Sequence, residues 1–399
     1  MKKYDVVVVG GGISGLTFAF QAARAGRSVL VLERDARPGG CLSSHRGSSG
    51  YWFELGAHTC YNSYTGFAEL VEACGLRGEV LPRAATHLRF LDGDRLVPGS
   101  NLAVLLRLFS WWEMVVSLPR LVGAKKEGQT VRSFYSRIVG KRNYETVLGP
   151  MLSAVPSQSA DAFPAGMLFK SRQTRRKDFP RSFTLRGGLQ SIAERMASEP
   201  GIEFAAGCAV ARLEKAGAGF TVVAEDGERL EAGAVALASG PASAARILAE
   251  AFPDLSAVVS KVREAEVETM AFAVRSSKTR LPVSMFLVPK SDVFHSVVTR
   301  DSVPDPDWRS FSFHFKPGLS RGGRIERATR LLGLVPADLE ELVERRGVLP
   351  SPALGHEETV REVDRLTAGT KLSLLGNWFA GLAIEDCVER SRAEWQRLQ

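Results

Sequence analysis

The beginning of the chain alternates between apolar runs and a loop of glycines. From Tyr4 to Val9 the residues are almost all apolar and mostly β-branched, which predicts a strand buried on both faces of a parallel sheet. The pattern from Leu16 to Ala25 predicts a helix that ends at Gly26. A second run, Ser28 to Leu32, predicts another strand. The chain is therefore expected to open with a β–α–β unit.

The loop between the first strand and the helix has the glycines that a phosphate site needs. It reads Gly10-Gly11-Gly12-Ile13-Ser14-Gly15. Gly10 allows a tight turn, Gly12 lets a pyrophosphate approach the backbone, and Gly15 lets the helix pack closely on the strand. The helix N-terminus offers free N–H groups to phosphate, and Glu33 stands where a carboxylate accepts hydrogen bonds from a ribose. We predict dinucleotide binding, with Ile13 and Ser14 included in the site. A purely structural glycine turn is the alternative.

The segment after Glu33 distinguishes FAD from NAD. Arg34 follows at once, and Arg37-Pro38-Gly39-Gly40 forms an extension that NAD-dependent dehydrogenases usually lack. Glu54-Leu55-Gly56-Ala57-His58 then returns to the same region. These segments resemble the superfamily of amine oxidases, phytoene desaturases and protoporphyrinogen oxidases. The resemblance implies FAD, with Gly39 and Gly40 beside the pyrophosphate and flavin. An ordinary surface turn is the alternative for these two glycines.

Two later segments extend the resemblance. Thr184 to Ile192 contains a glycine pair before a helix, and Val210 matches the residue whose backbone contacts the adenine in this superfamily. Near the far end, an apolar strand leads into a second glycine segment, in which the resemblance assigns cofactor contacts to Gly376, Asn377, Gly381, Leu382 and Ala383. There the helix start is expected near the flavin ring, where its dipole would stabilise negative charge. A plain strand–turn–helix is the alternative.

These motifs predict an α/β protein of the two-domain flavoprotein kind. A Rossmann-type FAD-binding domain is expected over residues 1–75, 184–240 and 351–399. An α+β substrate domain is expected to be inserted twice, over the mostly helical residues 76–183 and over 241–350, with strands at Val262 to Val274 and Ser310 to Phe315. The sheet of the FAD domain is expected to be completed by Ala234 to Ala238.

Composition excludes several other classes of protein. There is no second glycine fingerprint and no CxxC pair, which argues against pyridine-nucleotide disulfide reductases, and the five cysteines have no metal-ligand spacing. We therefore expect no metal, and a hydride that comes from a small-molecule substrate. The net charge of +8 comes without a nucleic-acid motif, so we expect no nucleic-acid partner. Because no signal peptide is visible, a cytoplasmic location is expected.

Four further segments resemble protoporphyrinogen oxidases in particular. They are His87 to Gly93, Ser133 to Leu152, the Gly187-Gly188 segment and Gly355-His356. The resemblance implies an oxidase that removes hydrides from a porphyrinogen, with Arg89 holding a propionate of the substrate. A surface salt bridge is the alternative role for Arg89. His58 is the candidate for proton transfer near the flavin, against a histidine simply bonded in the core.

The rival interpretations are an amine oxidase, a desaturase acting on a natural-product or isoprenoid intermediate, and a non-enzymatic carrier of FAD or a tetrapyrrole. Asn101 to Lys126 is apolar with two tryptophans, and Lys170 to Arg181 is basic. Together they favour peripheral binding to the inner face of a membrane over a buried helix with a solvated loop. A homodimer is a further expectation.

Overall fold

The computed structural model describes residues 2–99, 101–168 and 170–399. Within these ranges the strands, in chain order, are β1 Lys3–Val9, β2 Val29–Glu33, β3 Ser44–Arg46, β4 Trp52–Glu54, β5 Cys60–Tyr61, β6 Val80–Pro82, β7 Leu88–Asp92, β8 Arg95–Leu96, β9 Ser182–Leu185, β10 Ile202–Ala206, β11 Val210–Ala216, β12 Gly219–Ala224, β13 Arg229–Leu237, β14 Glu264–Arg275, β15 Phe286–Pro289, β16 Phe294–Thr299, β17 Trp308–Phe315, β18 Glu340–Pro350 and β19 Leu372–Leu374.

The helices surround these strands. They are α1 Ile13–Arg24, α2 Thr65–Ala73, α3 Asn101–Leu108, α4 Trp111–Ser117, α5 Val131–Val139, α6 Lys141–Asn143, α7 Gly149–Ala154, α8 Gln190–Ala197, α9 Pro241–Leu248, α10 Pro253–Val259, α11 Arg321–Leu332, α12 His356–Thr367 and α13 Ile384–Leu398. Among the described residues, none of these helices combines the length and the apolar character that a bilayer crossing requires.

The first sheet has the strand order β10-β2-β1-β13-β12-β11, with β19 paired to β13. β1 runs parallel to both β2 and β13, and β19 runs parallel to β13. The β-branched residues of β1 are buried on both faces, between a cluster that includes α1, α2, α8 and α13 and a second cluster under α9, α10 and α12. The parallel order around β1, with helices on both faces, confirms the predicted Rossmann-type α/β fold.

The second sheet has the order β18-β14-β17-β16-β15-β7-β8. Its phenylalanine-rich face packs against α11. The other face carries small and polar side chains and is turned towards the β3–β4 hairpin, as the hydrogen bond from Ser312 Oγ to the Glu54 carbonyl (2.6 Å) shows. The candidate site lies along this face.

Two sequence predictions need correction. α1 begins at Ile13, not Leu16, because the extended backbone of Gly12 (φ −76°, ψ 176°) places it at the helix N-cap. The expectation of a mostly helical segment over 76–183 is wrong for residues 80–96, which form β6, β7 and β8. Leu88–Asp92 is a strand because β15, far along the chain, pairs with it in parallel.

Candidate functional site

Two of the loop glycines are required by the fold itself. Gly10 has φ +106°, and a Cβ there would lie 2.8 Å from the Ala238 carbonyl oxygen. A Cβ on Gly15 would lie 2.0 Å from the Gly10 carbonyl oxygen. The ends of β1 and β13 and the first turn of α1 therefore pack too closely for any side chain at these two positions.

Gly12 behaves differently. Its φ and ψ suit any residue, and a Cβ there would meet only the Gly40 Cα, at 3.9 Å. The open space lies where the loop faces a second loop, because Gly12 and Gly39 form a β-bridge and the Gly39 N–H donates to the Gly11 carbonyl (2.8 Å). The protein does not fill this space, and the two glycine loops that border it suit the close approach of a diphosphate.

Glu33 lies beside the same loop. Its Oε2 accepts a hydrogen bond from the Gly11 N–H (2.6 Å) and its Oε1 accepts one from the Asp35 N–H (2.8 Å). Arg34 is exposed and lies 3.7 Å from Asp35. The structure therefore orients the Glu33 carboxylate at the carboxyl end of β2, where Rossmann-type sheets bind nucleotides, while Arg34 remains in solvent.

The segment before β11 reaches the same edge of the sheet. The Cys208 N–H donates to the Glu33 carbonyl (2.8 Å), and Val210 follows as a buried residue at a β-bulge. Ile13 and Ser14 are also buried, in the first turn of α1. The structure brings these residues together around the glycine loop although they come from distant parts of the sequence.

The far end of the chain closes this edge. The Leu375 N–H donates to the Leu237 carbonyl (2.8 Å), which places Gly376, with φ +140°, beside the end of β13. Asn377 follows and is partly buried. A Cβ on Gly381 would lie 2.2 Å from Asp386 Oδ2, so a side chain at this position would have to displace the Asp386 carboxylate.

Leu382 and Ala383 precede α13. Leu382 packs against the helical cluster around Tyr144, and the Ala383 N–H donates to Asp386 Oδ2 (3.1 Å). The Glu385 carboxylate accepts hydrogen bonds from the N–H groups of Gly66 (2.7 Å) and Phe67 (2.9 Å), at the start of α2. Burial raises the pKa of Glu385, although both backbone hydrogen bonds oppose the rise. Both carboxylates at the start of α13 therefore hold the closing segment in place.

Three basic side chains of the segment from Lys170 to Arg181 form ion pairs with carboxylates of the protein. Arg172 Nη2 lies 2.6 Å and Lys170 Nζ 3.4 Å from Asp386 Oδ1. Arg176 pairs with both Glu72 and Asp178. These ion pairs offset the charge of Lys170, Arg172 and Arg176, and the expected contact of the segment with anionic lipid stays a prediction.

His58 lies at the border between the two sheets. Its Nδ1 lies 2.7 Å from Thr59 Oγ1, and its ring meets the Phe286 ring edge-on, with centroids 5.0 Å apart. Burial lowers the pKa of His58 well below its usual value, and the positive charge of Arg83 lowers it further. The imidazole is therefore neutral at physiological pH; it can accept a proton there, but as a weak base.

Arg89 lies on the other face of the second sheet. It is opposite Leu287 in the parallel β7–β15 pair, and Leu287 belongs to the cluster that packs against α11. Its Nε donates to Ser284 Oγ (3.0 Å). Phe286, against which His58 packs, is on the opposite face, because successive side chains alternate. The structure therefore places Arg89 and His58 on opposite faces of the second sheet, and the described partners of the Arg89 guanidinium are the Ser284 hydroxyl and the Val283 carbonyl.

A row of polar side chains near Gly40 was not predicted. Arg345, Thr269 and His314 are cross-strand neighbours on β18, β14 and β17. Arg345 Nη1 donates to the Gly40 carbonyl (3.0 Å), and Thr269 Oγ1 lies 3.0 Å from His314 Nδ1. Burial lowers the pKa of His314 to about 4. The strict alternation from Ser310 to Phe315 could have indicated this polar face.

Glu54, within the predicted motif, is a buried carboxyl group. Its Oε1 accepts the Leu189 N–H (2.7 Å), and its Oε2 accepts the Ser44 hydroxyl (2.6 Å). Burial raises the pKa of Glu54 to about 7, while these hydrogen bonds limit the rise. The carboxyl is therefore partly protonated near neutral pH.

We expect Glu54→Gln to become more stable relative to the wild type as pH rises from about 4.5 to about 7. The folded protein binds the proton more tightly than the unfolded chain, so ionisation across this window costs the wild type up to about 3 kcal/mol, and glutamine does not ionise. Urea denaturation at pH 5 and pH 8 measures the difference. A difference in unfolding free energy that stays constant between the two pH values would contradict the prediction.

Comparison with known proteins places these features in context. A model of the family described as flavin containing amine oxidoreductase matches residues 13–273. A phytoene desaturase of Cercospora nicotianae is 27% identical over 280 residues, which cover 59% of this chain and 45% of that protein. A probable flavin-containing monoamine oxidase A of Dictyostelium discoideum is 29% identical over 118 residues, which cover 30% of this chain and 26% of that protein. The chain thus matches less than half of the length of these two relatives.

Solved structures share the whole fold. A crystal structure named "Putative protoporphyrinogen oxidase", from Exiguobacterium sp. 255-15, superposes with a TM-score of 0.79 over 99% of this chain and 98% of that one, at 17% identity. A putrescine oxidase bound to putrescine superposes with a TM-score of 0.67 at 17% identity, over 99% and 98% of the two chains. At these identities the likeness establishes the architecture.

Proposed function

Because the chain belongs to the family of flavin containing amine oxidoreductases, we propose that it is an FAD-dependent oxidoreductase that takes hydrides from an organic substrate. The observation that carries the proposal is the convergence of the Gly10–Gly15 loop, the Gly39–Gly40 loop and Gly376 on one edge of the first sheet. The open space at Gly12 suits a diphosphate, and Glu33 is positioned for a ribose. FAD fits the residues that are present.

The residues assigned to FAD divide by the part of the cofactor that they suit. Those assigned to the nucleotide and diphosphate are Gly10, Gly12, Ile13, Ser14, Gly15, Glu33, Gly39, Gly40 and Val210, with the exposed Arg34 at the margin. Those assigned to the flavin end are Gly376, Asn377, Gly381, Leu382 and Ala383. When bound, FAD supplies the hydride acceptor, and the protein contributes orientation and exclusion of water. The neutral His58 is the candidate acceptor for the proton that the substrate loses.

A porphyrinogen is the substrate class that we propose first. The segments around Gly187-Gly188 and Gly355-His356 resemble protoporphyrinogen oxidases, and the structural neighbour of that name shares the fold over almost the whole chain. In this chemistry a hydride leaves a methylene bridge between two pyrrole rings, and the nitrogen of an adjoining pyrrole loses a proton. Such a reaction asks little of side chains beyond positioning.

Anaerobic titration of the purified flavoprotein tests the proposal directly. Addition of a porphyrinogen is expected to bleach the flavin absorbance band. When oxygen is then admitted to reoxidise the flavin, the fluorescence of the porphyrin product is expected to rise, because full oxidation of a porphyrinogen needs more electrons than one flavin accepts. A panel of amines and polyenes runs in parallel. A protein that carries no flavin contradicts the whole proposal, whereas a flavin that only photoreduction can bleach favours a carrier.

A desaturase acting on an isoprenoid intermediate is the second candidate. Its support is that the phytoene desaturase of C. nicotianae aligns over more of this chain than the amine oxidase does. Bleaching by polyenes alone in the same titration would select this function, and bleaching by amines alone would select an amine oxidase.

We further propose that α4 and the residues after it rest on a membrane surface. The side chain of Trp112 is 76% exposed and that of Val122 is 84% exposed, and Val115, Leu118 and Leu121 beside them are also more than half exposed. Arg120 and Lys125 are exposed in the same stretch. Apolar side chains flanked by basic ones suit the interface of an anionic bilayer. Such a site would place the protein on the inner face of the membrane.

Val122→Glu is expected to weaken binding to phosphatidylglycerol vesicles about tenfold. It removes an apolar contact between the protein and the bilayer, and the new carboxylate is repelled by the anionic headgroups. Sedimentation with vesicles measures the change. Val335→Glu is the matched control, since Val335 is 57% exposed on another part of the surface. Equal losses in the two variants would argue against this surface.

A further inference from the structure

A small cavity lies between β4, β9 and the ends of β16 and β17. Its volume is about 20 Å³, which is room for one or two water molecules or for a small group of similar size. Two guanidinium groups line it, Arg83 after β6 and Arg300 after β16, together with Thr184 of β9. Arg300 rests against the rings of Tyr51 and Trp52, 4.4 Å from each centroid. The aromatic contacts hold its guanidinium in place.

Four buried polar atoms of these side chains lack a hydrogen-bond partner within the described part of the chain. They are Nη1 of Arg83, Nε and Nη1 of Arg300, and Oγ1 of Thr184. Arg83 Nε donates to Ser302 Oγ (2.7 Å), which orients the guanidinium, while its Nη1 group has no acceptor. The Asp305 carboxylate lies 4.0 Å from Arg300 Nη1, beyond hydrogen-bond distance. Buried N–H groups without an acceptor are costly, so the cavity is suited to a ligand that accepts hydrogen bonds.

Glu54 also lines the cavity but does not satisfy these donors. Both of its carboxyl oxygens already accept hydrogen bonds, from Leu189 and Ser44. With a pKa raised to about 7, it carries only part of a negative charge near neutral pH. The two guanidinium groups are permanently charged. The cavity therefore has an excess of positive charge as well as of donors.

We propose that this cavity binds a carboxylate group or a similarly small monovalent anion. A guanidinium presents two parallel N–H groups to the two oxygens of a carboxylate, and the Thr184 hydroxyl adds a donor. Two sources supply such a group: a free anion such as formate, or the acid end of a larger substrate. His58 lines the same cavity, so a substrate at His58 lies within reach of it. The idea that the acid end of a substrate fills the cavity rests on the proposed function, whereas the binding of a free anion does not.

Thermal unfolding of the purified flavoprotein in sodium formate tests the site, with sodium sulfate holding the ionic strength constant. In the wild type, formate is expected to raise Tm along a saturating curve, by about 1–2 °C at ten times its Kd. The fluorescence of Trp52, beside Arg300, is expected to shift with the same midpoint. Arg83→Met and Arg300→Met are expected to lose both responses.

Arg275→Met is the matched control. Arg275 also stacks on a tryptophan, with its guanidinium carbon 3.8 Å from the Trp308 ring centroid, but it lies outside the cavity. This variant is expected to keep the full response to formate. Arg300→Lys is the alternative if Arg300→Met does not fold. Lysine keeps the positive charge but lacks the two parallel N–H groups of the guanidinium, so the Kd of this variant for formate is expected to be at least tenfold higher than that of the wild type. A wild-type response that is absent, that never saturates, or that persists in Arg300→Met overturns the proposal.

Steady-state kinetics with a substrate that bears propionates then identify the source of the anion. If formate competes with this substrate, it raises the KM for the substrate in the wild type but not in Arg300→Lys; that result would show that the acid end of the substrate occupies the cavity. If formate binds without changing KM, the cavity takes a free anion; both results support the site. Failure of every substrate to react would count against the proposed function alone, because the formate titration does not depend on turnover.

Discussion

A Gly12→Ala variant is expected to fold as the wild type does but to lose tight FAD binding. The backbone at Gly12 is extended, and its new methyl group would meet only the Gly40 Cα, at 3.9 Å, so the protein without cofactor has no reason to unfold. A diphosphate in that space would meet the methyl group. Overpacking of this kind costs about 1–3 kcal/mol, which corresponds to roughly 5–150-fold weaker binding.

Quenching of FAD fluorescence on titration with apoprotein measures the affinity, and thermal unfolding of the apoprotein measures its stability. Gly78→Ala is the control, because a Cβ at Gly78 meets nothing within 4 Å. Gly15→Ala gives the contrasting case: its Cβ would lie 2.0 Å from the Gly10 carbonyl oxygen, so this variant is expected to fail at folding. Unchanged FAD affinity in Gly12→Ala would exclude the proposed position of the diphosphate.

The second large effect is expected from Asp386→Ala, which should destabilise the protein by about 3–5 kcal/mol. The Asp386 side chain is only 5% exposed, and it lies 2.6 Å from Arg172 and 3.4 Å from Lys170. It also accepts the Ala383 N–H at the start of α13. Its removal leaves two cations without their carboxylate and the helix without this cap.

Urea denaturation measures the loss, and limited trypsin digestion adds a local readout, because the segment around Arg172 should become easier to cleave. Glu389→Ala is the control, since Glu389 is an exposed carboxylate on the same helix. A difference in stability below about 1 kcal/mol between the two variants would show that this ion-pair cluster contributes no more than a surface pair.

The parts of the fold that the sequence predicts correctly are those determined by residues close together in the chain. The strand from Tyr4, the glycine turn and the helix after it follow from neighbouring residues. β1, α1 and β2 form in the predicted order, with α1 beginning three residues before the predicted start. β7 was missed because Leu88–Asp92 becomes a strand only by pairing with Phe286–Pro289. A short apolar run carries no information about a partner that lies far along the chain.

The same distinction holds for the candidate site. Glycines 10, 12, 15, 39 and 40 could be selected from the sequence because all five belong to recognisable glycine motifs, although the backbone of Gly12 itself would accept another residue. Arg345 could not, because it reaches Gly40 only through the register of β18 on β14. Arg89 shows the converse. Its motif suggested a substrate contact, but the alternation of side chains along β7 turns it to the other face.

The order in which the chain is synthesised gives the closing segment a further consequence. Gly10 and Gly376 stand at opposite ends of the sequence, yet β19 pairs with β13, and Ser391 Oγ in α13 donates to the Ser14 carbonyl (2.9 Å). A ribosome that adds about 5–20 residues per second needs roughly 20–70 s to pass from one glycine to the other. During that interval the loop that is to hold the diphosphate has no C-terminal neighbour. Tight binding of the cofactor is therefore expected only after the segment from Gly376 onwards has been synthesised.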